Sequence, residues 1–328
     1  MQSKFLFFLI LLIPFYSFSQ EEKVLMKRTF KETQPIKTFD FPYFTLRQLK
    51  VKDNLLYGIN YSNQEIIIFD LIKNKKKSVI GKKGEGPGEF KNIAAYKVLD
   101  ENIIVLDNQN LSVKKFSKEG KYISSHRINS PFIKGHILDE NNILLSVEEM
   151  KLENSEYVFR WNWYKFSLSN DSKILFDISG FKFSKERDAA IKYDGNFYSS
   201  TSNDLIYSPR YKNGYLLIKD NAVLHKNTID NVEPKLYSND FTRMMRNNLP
   251  SKYIACLGNN GQFAYFLTKV GTKKKDKFSI LDVYDIGKNK YLYSYKIEYI
   301  NGSWPYDLAI DKNNIIVSYE ENIVIYEL

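Results

Sequence analysis

From about residue 46 onward the apolar residues fall in short alternating runs, not at helical spacing. A small unit recurs, in which a polar turn carrying Asn leads into such a run. It reads DNLLY (53–57), ENIIVL (101–106), ENNILL (140–145), KNGYLL (212–217), GNNGQF (258–263) and KNNIIV (312–317). Counted on Asn54, Asn102, Asn141, Asn213, Asn260 and Asn313, the spacings are 48, 39, 72, 47 and 53 residues. A second strand-like run follows each unit, for example EIIIF (65–69) and FSILDVY (278–284), and a third often follows that. Alternation over four to eight residues between turn-rich links indicates half-buried strands. A period of roughly 40–50 residues with three or four strands per unit indicates a β-propeller. Six units predict an all-β, six-bladed propeller with four-stranded blades. The C-terminal unit has only three strands, and the segment VLMKRTF (24–30) is a spare one, so an N-terminal strand is expected to close the ring and leave no open sheet edge.

Two stretches break the rhythm. The 72-residue spacing implies an insertion around 181–210; alternatively 204–207 and 214–219 supply the second and third strands of blade four. The run DFTRMMR (240–246) reads as a short helix, around 240–247, capped by Asp240 or Ser238. The rest of 20–328 reads as one propeller domain.

The segment IGKKGEGPGEF (80–90) packs four glycines and a proline into eleven residues. It lies between the outer strand of one unit and the first strand of the next, where the chain must return to the central axis. Gly84, Gly86 and Gly88 would supply the positive φ values, Pro87 a fixed bend, and Phe90 a wedge between blades. A phosphate loop would need a following helix and a Lys then Ser or Thr after the last glycine; here Glu89 and Phe90 follow.

GEGPGEF, together with IVLD (104–107), NQN (108–110), Val113, Phe116 and Gly120, resembles an NHL repeat. It is similar to the exported six-bladed propellers common in Bacteroidota. The close match covers about one blade, 78–128. The resemblance implies architecture and says little of activity, because NHL-type propellers include protein-, RNA- and sugar-related binders, lyases and lactonases.

Composition changes the picture in three places. Aromatic residues make up 15% of the 328 residues, with 24 Tyr and 23 Phe, which favours strands. The net charge of +10 would suit an anionic partner, but the lysines of KNKKK (73–77) and KKKDK (273–277) lie at turns between strands. No nucleic-acid motif accompanies them, and no nucleic-acid partner is expected. Lys4, the apolar run FLFFLILLI (5–13), Pro14 and SFS (17–19) make a secretory signal peptide over 1–19, with cleavage before Gln20. An exported monomer, periplasmic or extracellular and not inserted in the membrane, is expected. The single cysteine, Cys256, sits in an apolar strand, which argues for a core residue and against both a lipid anchor and a Cys/His pair.

Catalytic groups are hard to single out. The zinc-dependent amidating lyases of the NHL group use histidines, but His126, His136 and His225 show no paired spacing. The gluconolactonase- and paraoxonase-like propellers use calcium held by Glu, Asn and Asp. The candidates here are Glu89, Asn92, Asn129, Asn301 and Asp307. Glu148 and Glu149 are adjacent, as are Glu320 and Glu321, so on strands each pair points to opposite faces. Trp161 and Trp163 share one strand face, suited either to sugar stacking or to packing between blades. Trp304 and Tyr306 precede the innermost strand of the C-terminal blade, as a wedge or as the lining of the axial opening. Arg187, Arg210 and Tyr211 lie near the irregular region, where loops carry function. The expectation is an exported binding propeller that presents a loop face or axial funnel to a glycan, peptide or envelope protein through Glu89, Asn92, Asn129, Arg187, Arg210, Tyr211, Trp304 and Tyr306, with no cofactor. The alternative is a calcium-dependent lactonase- or lyase-like enzyme.

Overall fold

The computed structural model describes residues 25, 27–41, 45–153, 156–176, 195–199, 204–209, 214–219, 222–229, 252–257, 261–269 and 276–328. The signal segment 1–19, the helix around 240–247, and Arg187, Arg210 and Tyr211 lie outside them.

Two strands precede the first blade, β1 (Phe30–Lys31) and β2 (Pro35–Asp40). Blade one is β3 (Leu46–Lys52), β4 (Leu55–Asn60), β5 (Glu65–Asp70) and β6 (Lys75–Ile80). Blade two is β7 (Ile93–Val98), β8 (Asn102–Asp107), β9 (Ser112–Ser117) and β10 (Tyr122–Arg127). Blade three is β11 (Lys134–Ile137), the long hairpin β12 (Asn142–Glu153) and β13 (Glu156–Ser167), then β14 (Lys173–Phe176). Blade four is β15 (Gly195–Ser199), β16 (Leu205–Pro209), β17 (Tyr215–Lys219) and β18 (Ala222–Lys226). Blade five is β19 (Lys252–Leu257), β20 (Phe263–Thr268), β21 (Phe278–Asp285) and β22 (Lys290–Glu298). Blade six is β23 (Asp307–Asp311), β24 (Asn314–Ser318) and β25 (Asn322–Glu327), completed by β2. The six sheets are antiparallel meanders, apart from the parallel addition of β1 to the outer edge of blade five. The propeller expectation holds.

Alternation along each strand sends side chains toward both neighbouring blades, so the core is divided into six clusters, one per interface. Tyr57, Ile66 and Ile80 of blade one meet Phe90, Ile93 and Phe116 of blade two. Trp163 of blade three meets Phe197 of blade four edge-on, with ring centroids 4.6 Å apart. This is the interblade packing weighed against a sugar platform for that strand face.

Three details differ from the sequence reading. The ring is closed by β2, not by 24–30: Thr38 pairs with Val324 and Phe39 with Ile323. Only Phe39 of β2 is buried, against Phe69 of blade one, so its pattern is too weak to announce a strand. The preceding segment anchors elsewhere. Arg28 makes a buried bidentate pair with Asp282 of blade five, at 2.8 and 2.9 Å, and Ser294 donates a further bond to Asp282 at 2.6 Å. Removing one partner of such a pair costs about 3–5 kcal/mol.

The second difference is in blade four. β15 and β16 occupy 195–199 and 205–209, so the span 181–210 is not wholly an insertion, and 204–207 with 214–219 fall on the second and third strands. The third is in the glycine segment. Gly81 and Gly88 have positive φ (74° and 77°), whereas Gly84 and Gly86 do not. A Cβ on Gly84 would meet Glu89 Oε2 at 2.1 Å, and one on Gly81 would meet the Phe90 ring at 2.1 Å. Two of these glycines therefore turn the chain or admit the ring, and Gly84 makes room for a carboxylate. Phe90 is fully buried as the wedge.

Candidate binding site at the propeller axis

The innermost strands β3, β7, β11, β15, β19 and β23 contact one another around the axis. The links that lead into them, including 81–92, 128–133 and 299–306, lie on the face where these strands begin. That face is one end of the propeller axis, called the mouth below.

Strand β3 bulges between Arg47 and Lys50, with Gln48 at φ 52°. The bulge turns Gln48 into a junction of three blades. Its N–H donates to Asp307 of blade six at 2.5 Å. Its side-chain amide donates to Ala94 O of blade two at 2.9 Å and to the Tyr61 hydroxyl at 2.8 Å. Its carbonyl accepts the Tyr96 hydroxyl at 2.7 Å. Asp307 also accepts the Leu308 N–H at 2.7 Å. Burial nevertheless pushes its carboxyl up to about 6, against the lowering effect of these N–H groups and of Arg47 and Lys50.

Aromatic and cationic groups rim this mouth. The Arg47 guanidinium lies 4.2 Å from the Tyr306 ring centroid and donates to Tyr306 O at 3.3 Å. Tyr306 meets Trp304 edge-on at 5.8 Å. Lys269 Nζ lies 3.2 Å from the Trp304 ring centroid, and burial lowers its pKa to about 8. Trp304 is 37% exposed and Tyr61 38%. Both rings can therefore meet a ligand, with Trp304 held by the Lys269 cation and Tyr61 by its bond to Gln48.

Deeper in, pairing register gives a common level to all six blades. In each blade the second strand packs toward the next blade, and at corresponding positions it does so through Tyr57, Ile104, Leu144, Ile206, Tyr265 and Ile316. Their partners on the innermost strands are Lys50, Lys97, His136, Tyr198, Cys256 and Ala309. Three consecutive blades thus place a nitrogen base at one level, and the other three do not. Two residues nearer the mouth, about 7 Å along the strands, the corresponding positions include Arg47, Lys134, Asn196 and Asp307.

The other expected site residues have local roles. Glu89 accepts the Gly86 N–H at 2.9 Å and pairs with Lys82 at 3.1 Å; these hold its carboxyl below the usual range. Asn92 donates from its side chain to Asn108 at 2.7 Å and from its backbone to Asp107. Asp107 is fully buried and also takes the N–H groups of Lys91, Gln109 and Asn110. Asn129 is exposed on the link into β11 and Asn301 on the link into β23. The structure brings together Trp304 and Tyr306, adds Asp307, and leaves Glu89 and Asn92 in the glycine loop and its Asp107 cap. Among the described residues, no three His, Cys, Asp or Glu side chains are grouped to hold a metal ion, and no helix is long and apolar enough to cross a membrane. Sequence reasoning missed Arg47, Gln48, Lys50 and Lys97. The available signal was charge on the strand that opens each unit, where axial crowding favours small or apolar residues.

Structures with the same fold include a DUF4221 member from Bacteroides vulgatus, at a TM-score of 0.63 and 12% identity, covering 90% of this chain and 97% of that one. A Bacteroides fragilis protein named as a candidate exported protein superposes at 0.58 with 11% identity, covering 90% and 94%. Virginiamycin B lyase from Staphylococcus aureus, solved with quinupristin, superposes at 0.52 with 10% identity, covering 90% and 100%. At such identities the likeness is one of fold. No curated protein matches the sequence. Residues 35–222, more than half of the chain and starting at the closing strand, match DUF5128, described as a 6-bladed beta-propeller, and the chain belongs to that family.

Proposed function

We propose that the chain is an exported binding propeller that captures a glycan, peptide or envelope protein at its axial mouth. The observation that carries this reading is the rim itself: Trp304 and Tyr61 stay exposed on the mouth face while Lys269, Arg47 and Tyr306 brace the rim. Exposed aromatics held rigidly cost little entropy on binding and offer large contact area. The basic, apolar, small-residue order of residues 1–19 and the name of the Bacteroides fragilis neighbour support export. The glycine loop and the Phe90 wedge support kinship with NHL-type propellers.

The test is a panel of glycans and peptides titrated against residues 20–328, read by tryptophan fluorescence. We expect a saturable change with at least one probe. Trp304→Ala should weaken that binding by about tenfold or more, as for an interface aromatic, with the melting temperature held. Binding unchanged in Trp304→Ala would remove the mouth from consideration.

A further inference from the structure

The rim of the mouth is tied to one carboxylate. Asp307 opens β23 directly after Tyr306, and both of its oxygens are engaged. Oδ2 accepts the Gln48 N–H at 2.5 Å and Oδ1 accepts the Leu308 N–H at 2.7 Å. The first bond crosses from blade six to blade one and lands on a strained residue. Gln48 has φ 52° at the bulge in β3, and a residue other than glycine stays in that region only where its surroundings hold it there. Four contacts do so: Asp307 at its N–H, the Tyr96 hydroxyl at its carbonyl, and Ala94 O and the Tyr61 hydroxyl at its side-chain amide. Of these partners Asp307 alone can carry a charge near neutral pH, and bonds to a charged acceptor are the strong ones.

Two rim aromatics depend on this arrangement. Tyr61 takes its hydrogen bond from the Gln48 amide. Tyr306, the residue before Asp307, is stacked by the guanidinium of Arg47, the residue before Gln48, which also donates to Tyr306 O. The pairs Arg47–Gln48 and Tyr306–Asp307 thus run side by side across the seam between blades one and six. The Asp307–Gln48 bond joins them, with a rim aromatic fixed on either side.

We propose that Asp307 is a positioning residue whose charge sets the mouth: ionised, it pins Gln48 and with it Tyr61 and Tyr306 in the binding arrangement; protonated, it loosens them. The inference rests on the reading of the mouth as a binding site and adds its regulation, with ligand held near neutral pH and released in acid.

The groups around the carboxylate place the change. Burial raises its pKa to about 6, against the two N–H bonds and the cations Arg47 and Lys50 of β3. Tyr61 and Tyr96 face it from blades one and two; burial, first among the causes, pushes both above the usual tyrosine value, so they stay neutral. β24, which pairs with β23, has no titratable residue, and β19, on the other flank, carries Lys252, Tyr253 and Cys256. Because burial disfavours the charge, the N–H bonds and cations offset it only in part, so the binding arrangement can be undone by one proton.

The test reads Tyr61 without any ligand. 3-Fluorotyrosine is placed at position 61 alone in residues 20–328, and its fluorine-19 shift is followed from about pH 5 to about pH 7.5. We expect one titration step near pH 6. Asp307→Asn, which keeps the shape and removes the charge, should abolish it. Gln48→Met keeps the N–H bond to Asp307 and cuts the bond to Tyr61, so it should abolish the step as well; it decides if Asp307→Asn does not fold. A flat profile in the wild type, or the same step in either variant, would overturn the inference. Chitotriose and maltotriose, neutral at every pH used, then report on binding. Capture by the ionised form alone should weaken about tenfold from pH 7 to pH 5, and Asp307→Asn at pH 7 should bind as weakly as the wild type does at pH 5. Binding that stays level over that range would sink the regulation. A Tyr61 step with no binding by these or any other member of the glycan and peptide panel would sink the reading of the mouth and leave the coupling of Asp307 to Tyr61 standing.

Discussion

Blades two and six have the same four-stranded form and opposite connectivity. Blade two is built from one stretch, 93–127, and its outer strand β10 follows β9 through a turn at Gly120. Blade six joins 307–327 to β2, whose Asp40 bonds Asn322 across 282 residues. Blade two is sealed to its neighbour by a fully buried wedge, Phe90, packed on Phe116 at 5.5 Å. Blade six is sealed to blade one by Phe39 and Phe41, which lie 5.2 and 4.8 Å from the Phe69 ring. The interfaces are chemically alike. What differs is that the seam in blade six closes the whole chain into a ring, so its contacts must offset the entropy of a very long loop.

The largest effect should come from breaking that seam. Deleting 35–40 removes the outer strand of blade six together with Phe39, and we expect loss of cooperative unfolding, a cost beyond about 5 kcal/mol. Deleting 20–30 spares the closure and costs about 3–5 kcal/mol, because Asp282 then loses Arg28. Urea denaturation of the two proteins compares them, and equal stability would show that β2 is not the closing element. Next comes the local wedge. Phe90→Ala should cost about 3–5 kcal/mol while leaving a cooperative transition, since the ring stays closed. A cost under about 1 kcal/mol would mean that the glycine loop, not the aromatic, holds blade two.

The smallest effect concerns pH at blade six. The folded-state pKa of Asp307 is about 6, above the unfolded value of about 3.9. Between these values the folded protein holds the extra proton, so stability from this group falls as pH rises from about 4 to about 6 and is level above that. The slope is at most about 1.4 kcal/mol per pH unit. Asp307→Asn should flatten it in urea titrations across that range, and an unchanged slope would assign the dependence to other groups.

The blades were legible because the central strands, buried toward both neighbouring blades, are short apolar runs, and the turns that lead into them carry Asn, a pattern that survives in one sequence. The closing strand was not, since it is an edge strand: it opens on Pro35, tolerated at an edge, and buries only Phe39, whereas the more apolar 24–30 drew attention. Trp304 and Tyr306 were legible as aromatics at an interblade link. Glu89 and Asn92 bond within the glycine loop and its Asp107 cap, where a tight turn selects the same residue types as a binding site does. Lys50, Lys97 and His136 stand one to a unit, too far apart in the sequence to be associated, and only the register across three blades shows them at one level.

The seam also has a consequence in time. Chains emerge from the ribosome at about 5–20 residues per second, so β2 waits roughly 15–60 s for β25 to follow it. Throughout that interval β2 is a strand with no partner, of the kind that pairs with whatever edge is nearby. Lys37, its Nζ 4.6 Å from the Phe39 ring centroid, and Pro35 at its start make it a poor match for strangers. The weakness that hides β2 from a reader of the sequence would also protect it until its own blade arrives.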